Sequence, residues 1–350
     1  MLRLILLLLI VFGLGCRSRP FLMRGSVTGK MDMSGDVKTS IKADNTASRL
    51  ASVVINGSGS TKQRACGKVA IIDVDGVLIN KNINGMGSMG ENPVALFREK
   101  LDSLRCDPNV SAVVLRINSA GGGVTATDIM SRDLTLYRQE TNVPVVACLM
   151  DVGAGGAYYL ATHADFIVAH PTSIVGGIGV ILNTYNLEDA MGQANIVSLP
   201  IKAGDQIDIA SPEREMGEEE EAALQAIADS FHKRFIDQVK STRPSAADTK
   251  ENFEGGIFSG SDAMENGLVD SIGYLDDAVQ MARGRAGLGA DSVVIMLRRD
   301  NDRAYTQFDM TPNVPYTLLP FKVPGLDRSS LPTFLYLWQP ESSYLTSAGG

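Results

Sequence analysis

The residues that could do chemistry in this chain surround two glycine-rich segments. Residues 118–124 read Asn-Ser-Ala-Gly-Gly-Gly-Val, and residues 153–159 read Gly-Ala-Gly-Gly-Ala-Tyr-Tyr. The first segment stands between a predicted strand and a predicted helix, so its backbone N–H groups could bind an oxyanion in a cleft. A helix starting in the second segment would add its amino-terminal dipole to the same cleft. Gly121, Gly122 and Gly156 are the candidate donors, but neither tyrosine nor glycine in the second segment can attack a carbonyl group.

Hydroxyl, ammonium and imidazole groups occur elsewhere in the chain. Ser173 fits a turn after Pro171, and Ser211 fits a cap before Pro212. A serine–histidine pair would need a serine in the 153–159 segment, which has none. The three histidines are His163, His170 and His232. No zinc-type spacing of cysteine and histidine is present, so neither a metal nor a cofactor is expected.

Alternating strand and helix patterns must position these segments. Predicted strands cover residues 68–75, 110–117, 144–149 and 166–169, and residues 173–180 add a further apolar stretch. Helical patterns follow the glycine-rich segments, and a long amphipathic helix is predicted over 218–240. Such alternation predicts an α/β fold with a largely parallel sheet and right-handed crossovers.

These strand and helix patterns fall within residues 68–299, the central region of the chain, and the two ends of the chain differ from it. Arg3, an apolar run over residues 4–14 and the pair Gly15-Cys16 resemble a lipoprotein-type export signal over residues 1–16, with lipid on Cys16. A plain secretory signal and a buried cysteine are the alternatives.

Residues 17–67 read as a linker or a small β-hairpin. Residues 300–350 are proline-rich with interleaved aromatic residues, which predicts an extended arm that docks on its own domain or on a neighbouring subunit.

Composition excludes some functions. The chain has 350 residues, of which 44% are hydrophobic, and a formal net charge of −8. These values are typical of a globular protein. The net negative charge argues against a basic surface that could bind along a phosphate backbone, so nucleic acid is not expected as a partner.

Five ordered blocks resemble bacterial signal peptide peptidases of the Clp-protease/crotonase superfold. They are residues 115–122, 156–162, 173–180, 201–216 and 258–270. The resemblance implies repeated ββα units, assembly into a ring, and a serine/lysine dyad that attacks peptide bonds of released signal peptides. Residue by residue, however, the serine falls on Gly155 and the lysine on Ile207. Glycine offers no nucleophile and isoleucine no base.

The resemblance therefore predicts a pseudopeptidase that binds peptides or signal peptides, or that joins an active paralogue in a homo- or hetero-oligomeric ring. The protein is expected to be exported and anchored by a lipid to the membrane, on the periplasmic side in a Gram-negative-type cell. One alternative is an active serine peptidase in which Lys202, Ser173 or Ser211 replaces the missing dyad. The other is a crotonase-like enzyme acting on acyl-CoA thioesters, which needs no serine nucleophile.

Overall fold

A mainly parallel β-sheet lies at the centre of the computed structural model, which describes residues 50–56, 67–85, 88–299, 306–309 and 334–338. The strands in chain order are β1 (Ala51–Asn56), β2 (Lys68–Leu78), β3 (Ile83–Gly85), β4 (Ser88–Glu91), β5 (Val110–Gly123), β6 (Val145–Ala154), β7 (Phe166–Ala169), β8 (Ile174–Gly176), β9 (Ile257–Ser259), β10 (Ser271–Ile272), β11 (Val293–Arg298) and β12 (Leu335–Leu337). The main sheet runs β1-β11-β2-β5-β6-β7-β10, and every neighbouring pair in it is parallel except β1 with β11.

Helices cover both faces of this sheet. In chain order they are α1 (Pro93–Arg105), α2 (Val124–Thr141), α3 (Gly156–Ala161), α4 (Glu188–Gln193), α5 (Glu218–Thr242), α6 (Lys250–Phe253), α7 (Gly260–Glu265) and α8 (Leu275–Arg285). Helices α1, α2, α3 and α5 contribute to one buried cluster, which includes Leu115 of β5. Helix α8 packs in a second cluster with Val114, the residue before Leu115 in the same strand. Because successive strand residues face opposite sides, the sheet is buried on both faces, which explains its continuous apolar strands.

The α/β fold with a parallel sheet is confirmed, but one of its glycine-rich segments differs from the prediction. Residues 118–123 were expected to turn from strand to helix, and instead they continue β5 as far as Gly123. The extension is stabilised on one side by β2, where Gly121 pairs with Val77, and on the other by β12, where Gly121 pairs with Leu337. Helix α2 then begins directly at Val124.

The folded part also begins earlier than the expected boundary at Lys68. Strand β1 lies within the span predicted as a linker or hairpin, and it pairs with β11 at the edge of the sheet. Val53 and Ile55 pack against the second cluster, which accounts for this pairing. Cys16 and the predicted export signal lie outside the described residues. Among the helices that the structure describes, none has the length and apolar character needed to cross a membrane.

Candidate active site

A groove at the end of β5 holds a segment of the chain's own carboxyl-terminal arm. Residues 334–338 run antiparallel to residues 120–124, with hydrogen bonds from the Val124 N–H to the Phe334 carbonyl, 3.2 Å, and from the Trp338 N–H to the Ala120 carbonyl, 3.0 Å. On the opposite edge, Leu335 and Ile181 exchange two backbone hydrogen bonds of 2.9 and 3.0 Å. The segment is therefore an added strand that is bound along both of its edges.

The carbonyl group of Tyr336 lies where the predicted site glycines meet. A β-carbon at position 155 would lie 2.5 Å from the carbonyl oxygen of Tyr336 and 2.9 Å from its carbonyl carbon. A β-carbon at Gly121 would overlap the same oxygen, and one at Gly156 would lie 3.3 Å from it. Gly122 is paired with Tyr336 in the ladder. The structure thus brings Gly121, Gly122, Gly155 and Gly156 together around one peptide carbonyl.

The ladder also indicates which backbone groups face each other. Pairs of an antiparallel ladder alternate between hydrogen-bonded and non-bonded, and both Ala120 with Trp338 and Val124 with Phe334 are hydrogen-bonded. Gly122 with Tyr336 lies two steps from each of them, so the Gly122 N–H faces the Tyr336 carbonyl. The Gly121 N–H is instead directed to the Ser119 hydroxyl oxygen, 3.0 Å away. Of the two glycines predicted as oxyanion donors in this strand, Gly122 has the suitable orientation.

Gly155 forms the sharp turn between β6 and α3. Its backbone has φ 55° and ψ −128°, a conformation that glycine adopts readily and other residues adopt only under strain. The Gly155 N–H donates to the Gly176 carbonyl at 2.9 Å, and the Gly155 carbonyl accepts the first helical bond from Tyr159 at 3.0 Å. A strained strand-to-helix turn of this kind presents the nucleophile in many hydrolases. In this chain the geometry of the turn is present without a side chain to react.

The side chain of Tyr336 fills a buried aromatic pocket. It is 1% exposed, and its ring lies 5.5 Å from the ring of Tyr159 and 4.8 Å from that of Phe235. Its hydroxyl group donates to the carbonyl oxygen of Phe231 at 2.7 Å. Burial raises the pKa of the Tyr336 hydroxyl well above its usual range, so this group remains a donor. Sequence reasoning predicted that the arm docks, but it did not identify Tyr336 as the residue that enters the domain.

The structure does not bring Ile207 to Gly155. The Ile207 side chain is 73% exposed, and the atoms nearest to a β-carbon at position 155 belong to Tyr336 and Ala120. Lys202 lies on the same exposed loop, where both carboxylate oxygens of Asp208 accept from its ammonium group at 2.9 Å. These two hydrogen bonds hold the Lys202 side chain on the loop, against Asp208.

The remaining candidate residues and their neighbours form hydrogen bonds that hold loops and turns in place. Hydrogen bonds from Arg214 and Lys202 hold the pKa of Asp208 well below its usual range, which fits a fixed ion cluster on this loop. The Ser211 hydroxyl oxygen accepts from the Glu213 N–H at 3.3 Å within a turn, so it caps a turn instead of the helix expected at Pro212. Ser173 is 1% exposed, and its N–H donates to the His170 carbonyl at 2.9 Å, as expected for a turn residue.

One hydroxyl group beside the groove was missed by sequence reasoning. Thr127, in the first turn of α2, is fully buried, and its Oγ1 would overlap a β-carbon at Gly156. This hydroxyl has no hydrogen-bond partner among the described residues, so no base is placed to deprotonate it. Within the same part of the chain, no group of three or more histidine, cysteine or acidic side chains could hold a metal ion. The arrangement can bind an extended peptide, but the groups that surround its carbonyl do not form a nucleophile–base pair.

Comparison with known proteins shows which proteins this chain is similar to. Residues 137–289 match the model of peptidase family S49. The curated relatives confirm the resemblance to the signal peptide peptidases. A protein of Enterococcus faecium that bears the name signal peptide peptidase SppA is 28% identical over 67% of this chain and 67% of its own length. Protease 4 of Salmonella typhi is 32% identical over 63% of this chain and 35% of its own length.

The chain thus spans about two thirds of the first of these relatives and about one third of the second. Among solved structures, a membrane-bound stomatin-specific protease in complex with a substrate peptide matches 62% of this chain and 80% of its own. Its sequence identity is 15% and its TM-score is 0.39.

Proposed function

We propose that this chain is an exported, membrane-tethered member of the signal peptide peptidase family that binds extended peptides without cleaving them. The observation that carries the proposal is the position of the Tyr336 carbonyl, whose carbon lies 2.9 Å from the point where a side chain of residue 155 would begin. A peptidase would hold its nucleophile at such a point, and this chain has glycine there. The chain therefore has groups that could bind a peptide as a peptidase does, but it has no nucleophile at the position that faces the peptide carbonyl.

The test is labelling with a fluorophosphonate probe, together with a peptide-hydrolysis assay on the full chain. We expect neither labelling nor turnover. A serine or threonine that reacts with the probe would overturn the proposal and favour an active serine peptidase, the alternative that the S49 match supports. Mass spectrometry of the labelled peptide would then identify the nucleophile, with Thr127 and Ser173 as the buried hydroxyl groups to examine first.

Restoring the dyad tests whether the groove is still that of a peptidase. Because residue 207 does not lie beside residue 155 and residues 334–338 occupy the groove, we expect neither Gly155→Ser with Ile207→Lys nor Gly155→Ala with Ile207→Lys to react with the probe; labelling of the first variant alone would show that the loop can bring residue 207 to the turn. The second variant is the matched control because it adds the same β-carbon and the same lysine without a hydroxyl group. Equal inertness of both variants would show that the site has lost more than two side chains.

The membrane tether is proposed from the sequence around Cys16. Mass spectrometry of the mature amino terminus tests it, and we expect a diacylglyceryl group on Cys16 after removal of residues 1–15. An unmodified Cys16, or cleavage at another position, would contradict this part of the proposal.

Assembly into a ring is supported by an exposed apolar surface on the loop between α4 and α5. Its side chains are 56% to 104% exposed, which is unusual for large apolar residues on a surface that has no partner. They are Ile196, Val197, Leu199, Ile201 and Ile207. Light scattering after gel filtration should give an oligomer for the unchanged chain and a smaller species for Leu199→Ser with Ile201→Ser. An unchanged monomer in both cases would contradict assembly through this loop.

A further inference from the structure

The pairing of β2 with β5 is irregular at Ser119, close to the groove. Where β2 advances by two residues, its partners in β5 advance by three, from Asn118 to Gly121. Strand β5 therefore contains one extra residue at this point, which makes the irregularity a β-bulge. The bulge directly precedes Gly122, the residue whose N–H faces the carbonyl of the bound segment.

The Ser119 hydroxyl group bridges two backbone groups on either side of this bulge. In a regular parallel ladder, the N–H of a residue donates to the carbonyl of the residue that precedes its partner. Because Gly121 pairs with Val77, that acceptor is the carbonyl of Gly76. The Gly121 N–H donates to the Ser119 Oγ at 3.0 Å, and the Ser119 hydroxyl donates to the Gly76 carbonyl at 2.5 Å. One side chain thus provides both backbone groups with a hydrogen-bond partner across the bulge.

The bulge decides which glycine directs its N–H into the groove. Successive N–H groups of a strand point to opposite edges, so a slip of one residue would exchange the directions of Gly121 and Gly122. Ser119 is 3% exposed and its hydrogen bond with Gly121 is buried, so water does not replace the hydroxyl readily.

Resting on the peptide-binding function proposed above, we infer that Ser119 is a positioning residue of the groove. Its hydroxyl group holds the bulge in place, and the bulge directs the Gly122 N–H to the carbonyl of a bound peptide. Ser119 acts through the backbone of Gly121, which it holds against β2.

The experiment observes the carbonyl carbon of Tyr336 by NMR in the full chain. Labelling tyrosine with 13C at its carbonyl and leucine with 15N selects the four Tyr-Leu peptide bonds, which begin at Tyr159, Tyr274, Tyr336 and Tyr344. The Tyr336 signal is assigned by its loss in Tyr336→Phe. A hydrogen bond to a carbonyl oxygen deshields the carbonyl carbon, so Ser119→Ala should move this signal to lower chemical shift. The signals of Tyr159 and Tyr274 should keep their positions.

Two further variants isolate the hydroxyl group of Ser119. Ser119→Thr retains it and should leave the Tyr336 signal in place. Ser131→Ala is the matched control, because Ser131 is 1% exposed and its hydroxyl has no hydrogen-bond partner among the described residues. This control should also leave the signal in place. Should Ser119→Ala fail to fold, Ser119→Cys keeps a side chain of similar size with a weaker donor and should move the signal in the same direction.

Amide hydrogen exchange gives a second measurement on the same variants. In Ser119→Ala, the Gly122 N–H should exchange at least about fivefold faster than in the unchanged chain. Residues 113–117, which pair with β2 on one side and β6 on the other, should accelerate less, because the change opens only the end of the strand.

Three results would overturn the inference. They are an unmoved Tyr336 signal in Ser119→Ala, an equal displacement in Ser119→Thr, and exchange that accelerates by one factor along all of β5, which would indicate a general loss of stability. Failure of the proposed function is recognised separately, because it would appear as probe labelling or turnover by the unchanged chain.

Discussion

Replacing Gly155 by alanine would separate two effects that the structure places on one residue. The first is backbone strain, because residue 155 has φ 55° and ψ −128°; a side chain in such a region costs about 1–3 kcal/mol. The second is steric overlap, because the new β-carbon would lie 2.5 Å from the carbonyl oxygen of Tyr336. Overpacking of this kind typically costs a further ~1–3 kcal/mol unless the neighbour moves.

The two effects respond differently to removal of residues 334–350. Strain at residue 155 stays when the segment is absent, whereas the overlap disappears. A double-mutant cycle between Gly155→Ala and the deletion should therefore give a coupling free energy of about 1 kcal/mol or more. In thermal unfolding followed by circular dichroism, each kcal/mol should lower Tm by roughly 2–4 °C for a domain of this size.

Gly204 offers a matched control for this cycle. Its φ is +101°, and a β-carbon at this position would meet nothing within 4 Å. Gly204→Ala should therefore cost strain alone, by the same amount in both backgrounds. The reasoning is refuted if Gly155→Ala also costs the same with and without residues 334–350, because the overlap with Tyr336 would then be absent.

Three further predictions concern stability. Tyr336→Phe should lower the free energy of unfolding by about 1 kcal/mol and Tyr336→Ala by about 3–5 kcal/mol in urea titrations, and equal costs would contradict the pocket geometry. Burial lowers the pKa of His163, so the unfolded chain takes up a proton first; stability should fall as pH drops below about 6.5, and His163→Gln should lack this step. Asp73→Asn removes the carboxylate that accepts from the buried Lys100 ammonium at 2.6 Å and should cost about 3–5 kcal/mol. Asp107→Asn, at the more exposed pair with Lys68, should cost less than about 1 kcal/mol.

The sequence predicted which glycines form the site, but it did not predict the segment that fills the groove. Apolar strands, glycine-rich segments and their order along the chain are local signals, and they predicted the sheet and the glycines that meet at the Tyr336 carbonyl. The extension of β5 to Gly123 depends on pairing with Leu335–Leu337, more than two hundred residues away in sequence, and no local pattern encodes such a partner. For the same reason, the aromatic residues of the arm indicated docking but did not indicate where Tyr336 would bind.

The absence of a side chain at Gly155 is connected to the occupation of the groove. Glycine offers no nucleophile, adopts the positive φ of the turn without strain, and leaves the space that the Tyr336 carbonyl occupies. The β-carbon of a serine at this position would lie 2.5 Å from the carbonyl oxygen of Tyr336, which is closer than these two atoms can approach. Residues 334–338 in their present position and a side chain at residue 155 are therefore sterically incompatible. A serine at residue 155 would require the bound carbonyl group to shift, whereas this chain can keep its own arm in the groove because residue 155 has no side chain.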